Sequence, residues 1–205
     1  MSHPVISVPP EMPVHEALAM FRKEHIRRAP VIANGKLVGI VSESNLLNAT
    51  PSPATTLSIW EVNYLVSKVT VKQVMTKKVK TLDVETPIED AARIMADAKI
   101  GGMPVTRNGK IVGMITETDL FKVFLELMGA REKGVRVSAL VEDKPGQLLK
   151  VSKAVTDVGG NFISFGVFAG PDLSVKLITF KVAGIKKDEL KKVLEKVVKK
   201  FVDIR

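Results

Sequence analysis

Two glutamates, Glu43 and Glu117, stand 74 residues apart in matching contexts, Ser42-Glu43-Ser44-Asn45 and Thr116-Glu117-Thr118-Asp119. Paired carboxylates can perform general acid–base work, one giving a proton while the other takes one. Here the matching contexts explain the pair more simply, as one unit written twice. The other groups capable of catalysis are sparse. The three histidines, His3, His15 and His25, show no metal-ligand spacing, and His15 and His25 read as surface residues of one amphipathic helix. With no cysteine there is no disulfide framework, no thiolate zinc site and no cysteine nucleophile. Neither a Gly-rich phosphate loop nor a nucleophile elbow occurs. No catalytic residue and no metal site is expected. The reading is a binding protein, not an enzyme.

The elements that would position these residues are themselves duplicated. IRRAPVIANGKLVGIVSESNLL (26–47) returns as IGGMPVTRNGKIVGMITETDLF (100–121), and upstream Val5, Ser7, Pro13 and Ala17 answer Val79, Thr81, Pro87 and Ala91. Two copies of one supersecondary unit usually pack together, because neither buries its apolar surface alone. Such a pair offers two related clefts. Each copy reads strand, helix, strand, strand, helix. In the second copy, Val79–Leu82 is a short strand that ends beside Thr81. Thr86 is the expected N-cap of a helix, with Pro87 in the first turn and Glu89 closing a capping box. Ala91, Ala92, Ile94, Met95 and Ala98 supply its buried stripe, and Gly101-Gly102 breaks it. Met103–Thr106 and Lys110–Thr116 are strands joined by Asn108-Gly109, a pair suited to a type I′ turn. Glu117–Met128 is helical. The first copy follows the same plan with Asn34-Gly35 at the turn.

Between the copies, Thr50–Lys72 has no counterpart. TPSPATT reads as a loop, and SIWEVNYLVSKV as a packed connecting helix that holds the only Trp and Tyr, Trp60 and Tyr64. Trp60 reads as core or interface packing. After Gly129–Gly134 comes a unit of another kind. GVRVSALVED alternates as a half-buried strand does, and KPGQLLKVSKAVTDVGG is a helix bounded by glycines. NFISFGVF and SVKLITFKVAG are strands about the turn Ala169-Gly170-Pro171-Asp172. A lysine-rich helix follows within Lys186–Phe201, and FVDI is a last strand. The order βαββαβ is the ferredoxin-like pattern. The domains are therefore 1–68 (first copy with connector), 69–130 (second copy) and 134–205.

The chain has 205 residues, 45% of them apolar and 26% charged, as in ordinary globular proteins. No window approaches the roughly 20 apolar residues of a membrane span, and MSHPVISVPP lacks the build of a secretory signal. A cytoplasmic location is expected, with no membrane partner. The formal net charge is +9, and from Arg131 onward sixteen Lys and Arg face nine Asp and Glu. In KKDELKKVLEKVVKKF, Leu190, Val193, Leu194, Val197 and Val198 keep helical spacing and the lysines take the other face. That reads first as a solvated helix face. A nucleic-acid surface is the lesser alternative, since only Phe201 interleaves with the lysines.

The duplicated half resembles a pair of CBS domains. The resemblance rests on Ala29-Pro30-Val31 and Met103-Pro104-Val105, on the Asn-Gly turns, and on the signatures Gly39-Ile40-Val41-Ser42-Glu43-Ser44-Asn45 and Gly113-Met114-Ile115-Thr116-Glu117-Thr118-Asp119. It covers roughly residues 3–128. The tail resembles an ACT domain, through Asp143-Lys144-Pro145-Gly146-Gln147-Leu148 and Gly159-Gly160-Asn161. The combination is similar to the acetoin-utilisation (AcuB-like) proteins and implies a regulator. The implied fold class is α/β (α+β), a tandem CBS pair plus a ferredoxin-like βαββαβ ACT domain.

For the CBS pair the resemblance implies an adenine nucleotide or adenosyl ligand in the cleft: AMP, ADP, ATP, NAD or S-adenosylmethionine. Asp119 would accept both ribose hydroxyls, Thr116 and Thr81 would offer hydroxyls, and the backbone of Ile100, Gly102 and Met103 would read adenine. Asp119 also reads simply as an acid favoured at a helix N-terminus. In the first copy the contact set would be Ser7, Ala29, Ser42 and Asn45, where an amide replaces the acid and weakens the ribose contact. Arg28 matches a position that binds ligand phosphate in some CBS pairs, as guanidinium geometry suits; a surface Arg pair is the alternative. For the ACT-like unit, Gly146 and Asn161 match an amino-acid effector corner, or serve turn geometry alone. A homodimer is expected. The alternatives to a ligand sensor are a dimeric scaffold acting through a partner protein and nucleic-acid binding through the basic tail.

Overall fold

Asn34 and Asn108 adopt φ of 50° and 51°, and Gly35 and Gly109 follow at 74° each. These are the paired positive values a type I′ hairpin demands, which asparagine and glycine accept with little strain. The turns join β1 (Arg28–Ala33) to β2 (Lys36–Ser42), and β4 (Gly102–Arg107) to β5 (Lys110–Thr116). The computed structural model describes residues 4–49 and 68–205. The segment TPSPATT expected as a loop, most of the expected connecting helix with Trp60 and Tyr64, and His3 lie outside the described residues.

The duplication extends to fine detail. Each hairpin carries a register shift at the same place, between Val31 and Ile32 and between Val105 and Thr106. Helices α1 (Val14–Lys23) and α4 (Ile88–Ala98) precede the hairpins, and the chain leaves them through His25 and Lys99, both at φ 52°. In both helices the N-cap is the proline, Pro13 or Pro87, and no side chain caps either start. The capping box expected from Thr86 and Glu89 does not form. Proline holds the extended N-cap backbone itself, which puts the Thr86 hydroxyl one residue too early. The helix also ends before Gly101-Gly102, and Gly102 opens β4. The stripe of Ala91 and Met95 is buried, with Ile94 packed at its edge.

The first strand of each copy is shorter than the sequence suggests. In the second copy it is β3 (Leu82–Asp83), parallel to β4, so Thr81 precedes the strand. In the first it is one bridge, Val8 to Val31. After β2 and β5 come α2 (Glu43–Asn48) and α5 (Glu117–Leu127). The short helix α3 (Val71–Val74) follows the connector in sequence but packs on the first copy. Val71 is fully buried there among Val14, Phe21, Val31 and Leu46. Thr76 exchanges hydrogen bonds with Ile40, and Val69 accepts from Val14.

The chain divides into two compact units, residues 1–120 and 121–205, and the division falls within α5. The second unit runs β6 (Val135–Glu142), α6 (Gln147–Thr156), β7 (Asn161–Ala169), β8 (Val175–Ala183), α7 (Lys187–Leu194) and β9 (Lys200–Ile204). The antiparallel sheet has the order β7-β8-β6-β9, the ferredoxin-like arrangement. Alternate residues Val137, Ala139 and Val141 of β6 and Ile178, Phe180 and Val182 of β8 face Val151, Val155, Leu190 and Leu194 of the helices. The rings of Phe165 and Phe180 stack at 5.4 Å. The lysine-rich helix is shorter than its periodicity suggests. It ends at Leu194, and Lys200 and Phe201 belong to β9, whose pairing with β6 outweighs local helix preference.

The segment before β6 is seated on this sheet. Lys181 donates to the carbonyls of Gly129, at 3.0 Å, and Glu132. Ile163 is the unpaired residue at the β7 register shift, where an extra residue re-aims a side chain. Its methyl groups fill the room beside Gly129 and Gly134, 2.5 and 2.9 Å from where a Cβ would stand.

Candidate functional site

The antiparallel register of β4 and β5 sets Gly102 opposite Thr116, and the parallel strand β3, which begins directly after Thr81, sets Leu82 opposite Val105. Thr81, Gly102 and Thr116 therefore share one end of the sheet, where α5 begins. Ile100 is half-buried on the approach to that end, and its N–H donates to Met95. The side chain of Met103 is buried in the core, so only its backbone is available to a ligand. Glu117, next to the strand end, is tied by its N–H to the Gly101 carbonyl at 3.2 Å.

Asp119 is held by Thr116. The Thr116 N–H and hydroxyl both donate to Asp119 Oδ2, at 2.9 and 2.8 Å, and the Asp119 N–H returns to the hydroxyl at 3.4 Å. The Thr116 hydroxyl is thus engaged in starting α5. Partial burial acts to raise the Asp119 pKa, the Thr116 hydrogen bonds lower it, and its carboxyl sits below the ordinary aspartate range. It is ionised at neutral pH.

The first copy repeats the arrangement with an amide. The Ser42 N–H and hydroxyl donate to Asn45 Oδ1, at 3.0 and 2.7 Å, and the Asn45 N–H returns to the hydroxyl at 3.2 Å. Ser44 lies 2.8 Å from the same hydroxyl. Ser7 is exposed ahead of the Val8 bridge, and Ala29 is fully buried in the core.

The duplication ends at Arg27-Arg28. Arg28 reaches to the second copy and fills the space beside Gly101 and Gly102, with Glu117 close by. Burial lowers the Arg28 pKa and the Glu117 charge acts against that, while an arginine stays charged in either case. Arg27 donates to the Thr118 hydroxyl at 3.4 Å. The Gly101-Gly102 pair admits this arginine, a contact the sequence does not announce; the only signal was that two arginines stand where the other copy has two glycines.

In the second unit Gly146 starts α6 at φ 80°, and Asn161 opens β7 opposite Ala183. Gln147, buried behind Gly146, donates to the Val197 carbonyl at 2.6 Å. Among the described residues no group of His, Asp and Glu could hold a metal ion, and no helix is long and apolar enough to cross a membrane.

The sequence model of the CBS domain matches residues 1–52 and 71–126. Among curated relatives, an inosine-5′-monophosphate dehydrogenase of Korarchaeum cryptofilum is 34% identical over 118 residues, 57% of this chain and 22% of that enzyme. The chain spans about a third or less of the length of the first curated relatives it matches. Two solved structures share the fold at a TM-score of 0.51 and 26% identity. One is the CBS domain pair of protein MJ0100 in complex with 5′-methylthioadenosine and S-adenosyl-L-methionine, covering 64% of this chain and 94% of that one. The other, from Vibrio cholerae, is named for acetoin utilization (AcuB) and covers 65% and 93%. Both repeats thus match one family model, which covers more than half of the chain, and the chain belongs to the CBS-domain family.

Proposed function

We propose that this protein is a regulatory sensor that binds an adenosyl compound in the second-copy cleft and catalyses no reaction. The observation that carries this is the Asp119 carboxylate, ionised and oriented by Thr116 at the sheet end where Gly102 faces Thr116. A carboxylate so placed suits the vicinal hydroxyls of a ribose, both of them donors. The backbone of Ile100, Gly102 and Met103 would read the adenine edge, with Thr81 at the rim. Arg28, reaching over from the first copy, offers a guanidinium to an anionic group of the ligand, a nucleotide phosphate or the carboxylate of S-adenosylmethionine. The adenosyl ligands bound by the similar MJ0100 pair support this choice. To act as a signal the ligand must bind one arrangement of the chain better than another.

Residues 134–205 we read as an ACT domain in a homodimeric, cytoplasmic protein, with Gly146 and Asn161 at an amino-acid effector corner. The βαββαβ order and the left-handed Gly146 at the helix start support that reading. We take 134–205 as that domain and 1–68 and 69–130 as the two repeats along the sequence, the second beginning with residues that pack on the first.

The test is a thermal-shift panel of 5′-methylthioadenosine, S-adenosylmethionine, AMP, ADP, ATP and NAD on ligand-free protein. At about 100 times its dissociation constant a ligand stabilises by about 2.7 kcal/mol, which reads as several degrees. A shift with one ligand that Asp119→Ala abolishes supports the sensor. No shift with any of them rejects it and leaves a scaffold that acts through a partner protein.

A further inference from the structure

Arg28 and Glu117 converge on one point at the second-copy cleft. A Cβ on Gly101 would stand 2.7 and 2.8 Å from Arg28 Nη2 and Nη1, and 2.8 Å from Glu117 Oε2. The Glu117 N–H bonds the Gly101 carbonyl at 3.2 Å, which fixes the first residue of α5 beside the glycine. Gly101 adds no side chain of its own, so the space between the two charged groups stays clear. The groups approach without joining. Among the described residues neither the Arg28 guanidinium nor the Glu117 carboxylate makes a hydrogen bond or a direct ion pair. Arg27 brings a second guanidinium to the same helix start, through Thr118 at 3.4 Å. The first copy thus sends both of its arginines to the second.

A guanidinium with its donors unused calls for an acceptor, and a carboxylate beside it calls for a donor. A phosphate meets the first demand and violates the second. Its oxygens would be set against Glu117, and like charges brought together suppress the wrong partner. A di- or triphosphate brings still more negative charge to the same place. An α-amino acid group meets both demands, because its carboxylate suits the guanidinium fork and its ammonium suits Glu117. We infer that Glu117 is a specificity-determining residue that, set against Arg28, selects an adenosyl compound carrying an α-ammonium and an α-carboxylate, of the S-adenosylmethionine class, over nucleoside phosphates. The inference rests on the sensor reading above and decides between the two anionic groups named there for Arg28.

The experiment is isothermal titration of full-length wild-type, Glu117→Gln and Arg28→Met proteins, each checked for an unchanged melting profile. The compounds are S-adenosylhomocysteine, 5′-methylthioadenosine, AMP and ATP. The first two share an adenosine and a thioether, and only S-adenosylhomocysteine carries the amino acid. Wild type is expected to bind it about tenfold or more tighter than the other three. Glu117→Gln is expected to weaken S-adenosylhomocysteine about tenfold, to leave 5′-methylthioadenosine within about twofold, and to tighten ATP. Arg28→Met is expected to weaken S-adenosylhomocysteine and both nucleotides. Tighter binding of AMP or ATP than of S-adenosylhomocysteine by wild type overturns the inference. So does an equal loss of S-adenosylhomocysteine and 5′-methylthioadenosine in Glu117→Gln, which would put the carboxylate on the nucleoside. If wild type binds those two compounds equally, the amino acid is not read, and the inference fails while the sensor reading stands. If none of the four binds, the sensor reading fails and the inference falls with it.

Discussion

The guanidinium of Arg28 stands 2.7 Å from where a Cβ on Gly101 would lie, so the absence of that atom gives an arginine of one repeat its seat in the other. A Cβ on Gly102 would meet the Arg28 stem and the backbone oxygen of Ile115, both at 2.9 Å. The two glycines therefore differ in what must move. Gly101→Ala displaces only the ends of Arg28 and Glu117, which are flexible, and is expected to cost within about 1 kcal/mol. Gly102→Ala pushes on a strand backbone and is expected to cost about 1–3 kcal/mol. Arg28→Ala should relieve the first variant and leave the second destabilised. Melting of the four proteins checks this.

Asp119 predicts a pH dependence with a definite sign. Its folded-state pKa lies below the ordinary range near 3.9, so the stability it contributes is complete above about pH 5. That contribution is lost as the pH falls through the folded-state value. Asp119→Asn should retain the cap, as Asn45 does in the first copy, and should lose this acid-sensitive component. Asp119→Ala should lose the cap as well, about 1 kcal/mol at neutral pH. Melting temperature followed from about pH 6 to pH 2 separates the three proteins.

Val71 lies beyond the connector in sequence and in the core of the first copy in space. Val71→Ala is expected to destabilise the CBS pair by about 2 kcal/mol. Hydrogen exchange should report the damage in β1, β2 and α1, with the core around Leu82, Met95 and Met103 less affected.

Lys181 bonds two carbonyls of the segment that precedes β6. Lys181→Met keeps the stem and removes the ammonium. The amides of residues 129–134 should then exchange about tenfold faster or more, as suits the loss of charge-assisted hydrogen bonds. Unchanged protection there would show that Ile163 alone holds the segment.

How much of this was legible beforehand follows the range over which each feature is decided. The Asn-Gly turns, the strand pairs they join, the helix stripe of Ala91 and Met95 and the βαββαβ order are local or periodic, and one sequence displays them. Asp119 was legible as an acid at a helix start, while the capping bonds that join Ser42 to Asn45 and Thr116 to Asp119 were not foreseen. Two local signals misled: Thr86 resembles an N-cap, but the proline after it starts the helix, and the periodicity of Lys186–Phe201 extends past Leu194 into a strand. In the second case the hydrogen bonds of β9 to β6, some sixty residues earlier in the chain, outweigh a local preference.

The sequence by itself determined the duplication, the kind of fold each half adopts and the residue types at each cleft, because side-chain periodicity and turn chemistry are properties of neighbours along the chain. Only the tertiary structure decided that Val71 completes the first copy, that Arg28 rests beside Gly101 and Gly102, and that Ile163 and Lys181 hold the segment before β6. It also decided which atom of Asn45 is occupied. Those facts depend on groups brought together from distant parts of the chain, or on the direction of a single hydrogen bond, and neither leaves a periodic trace in the order of residues.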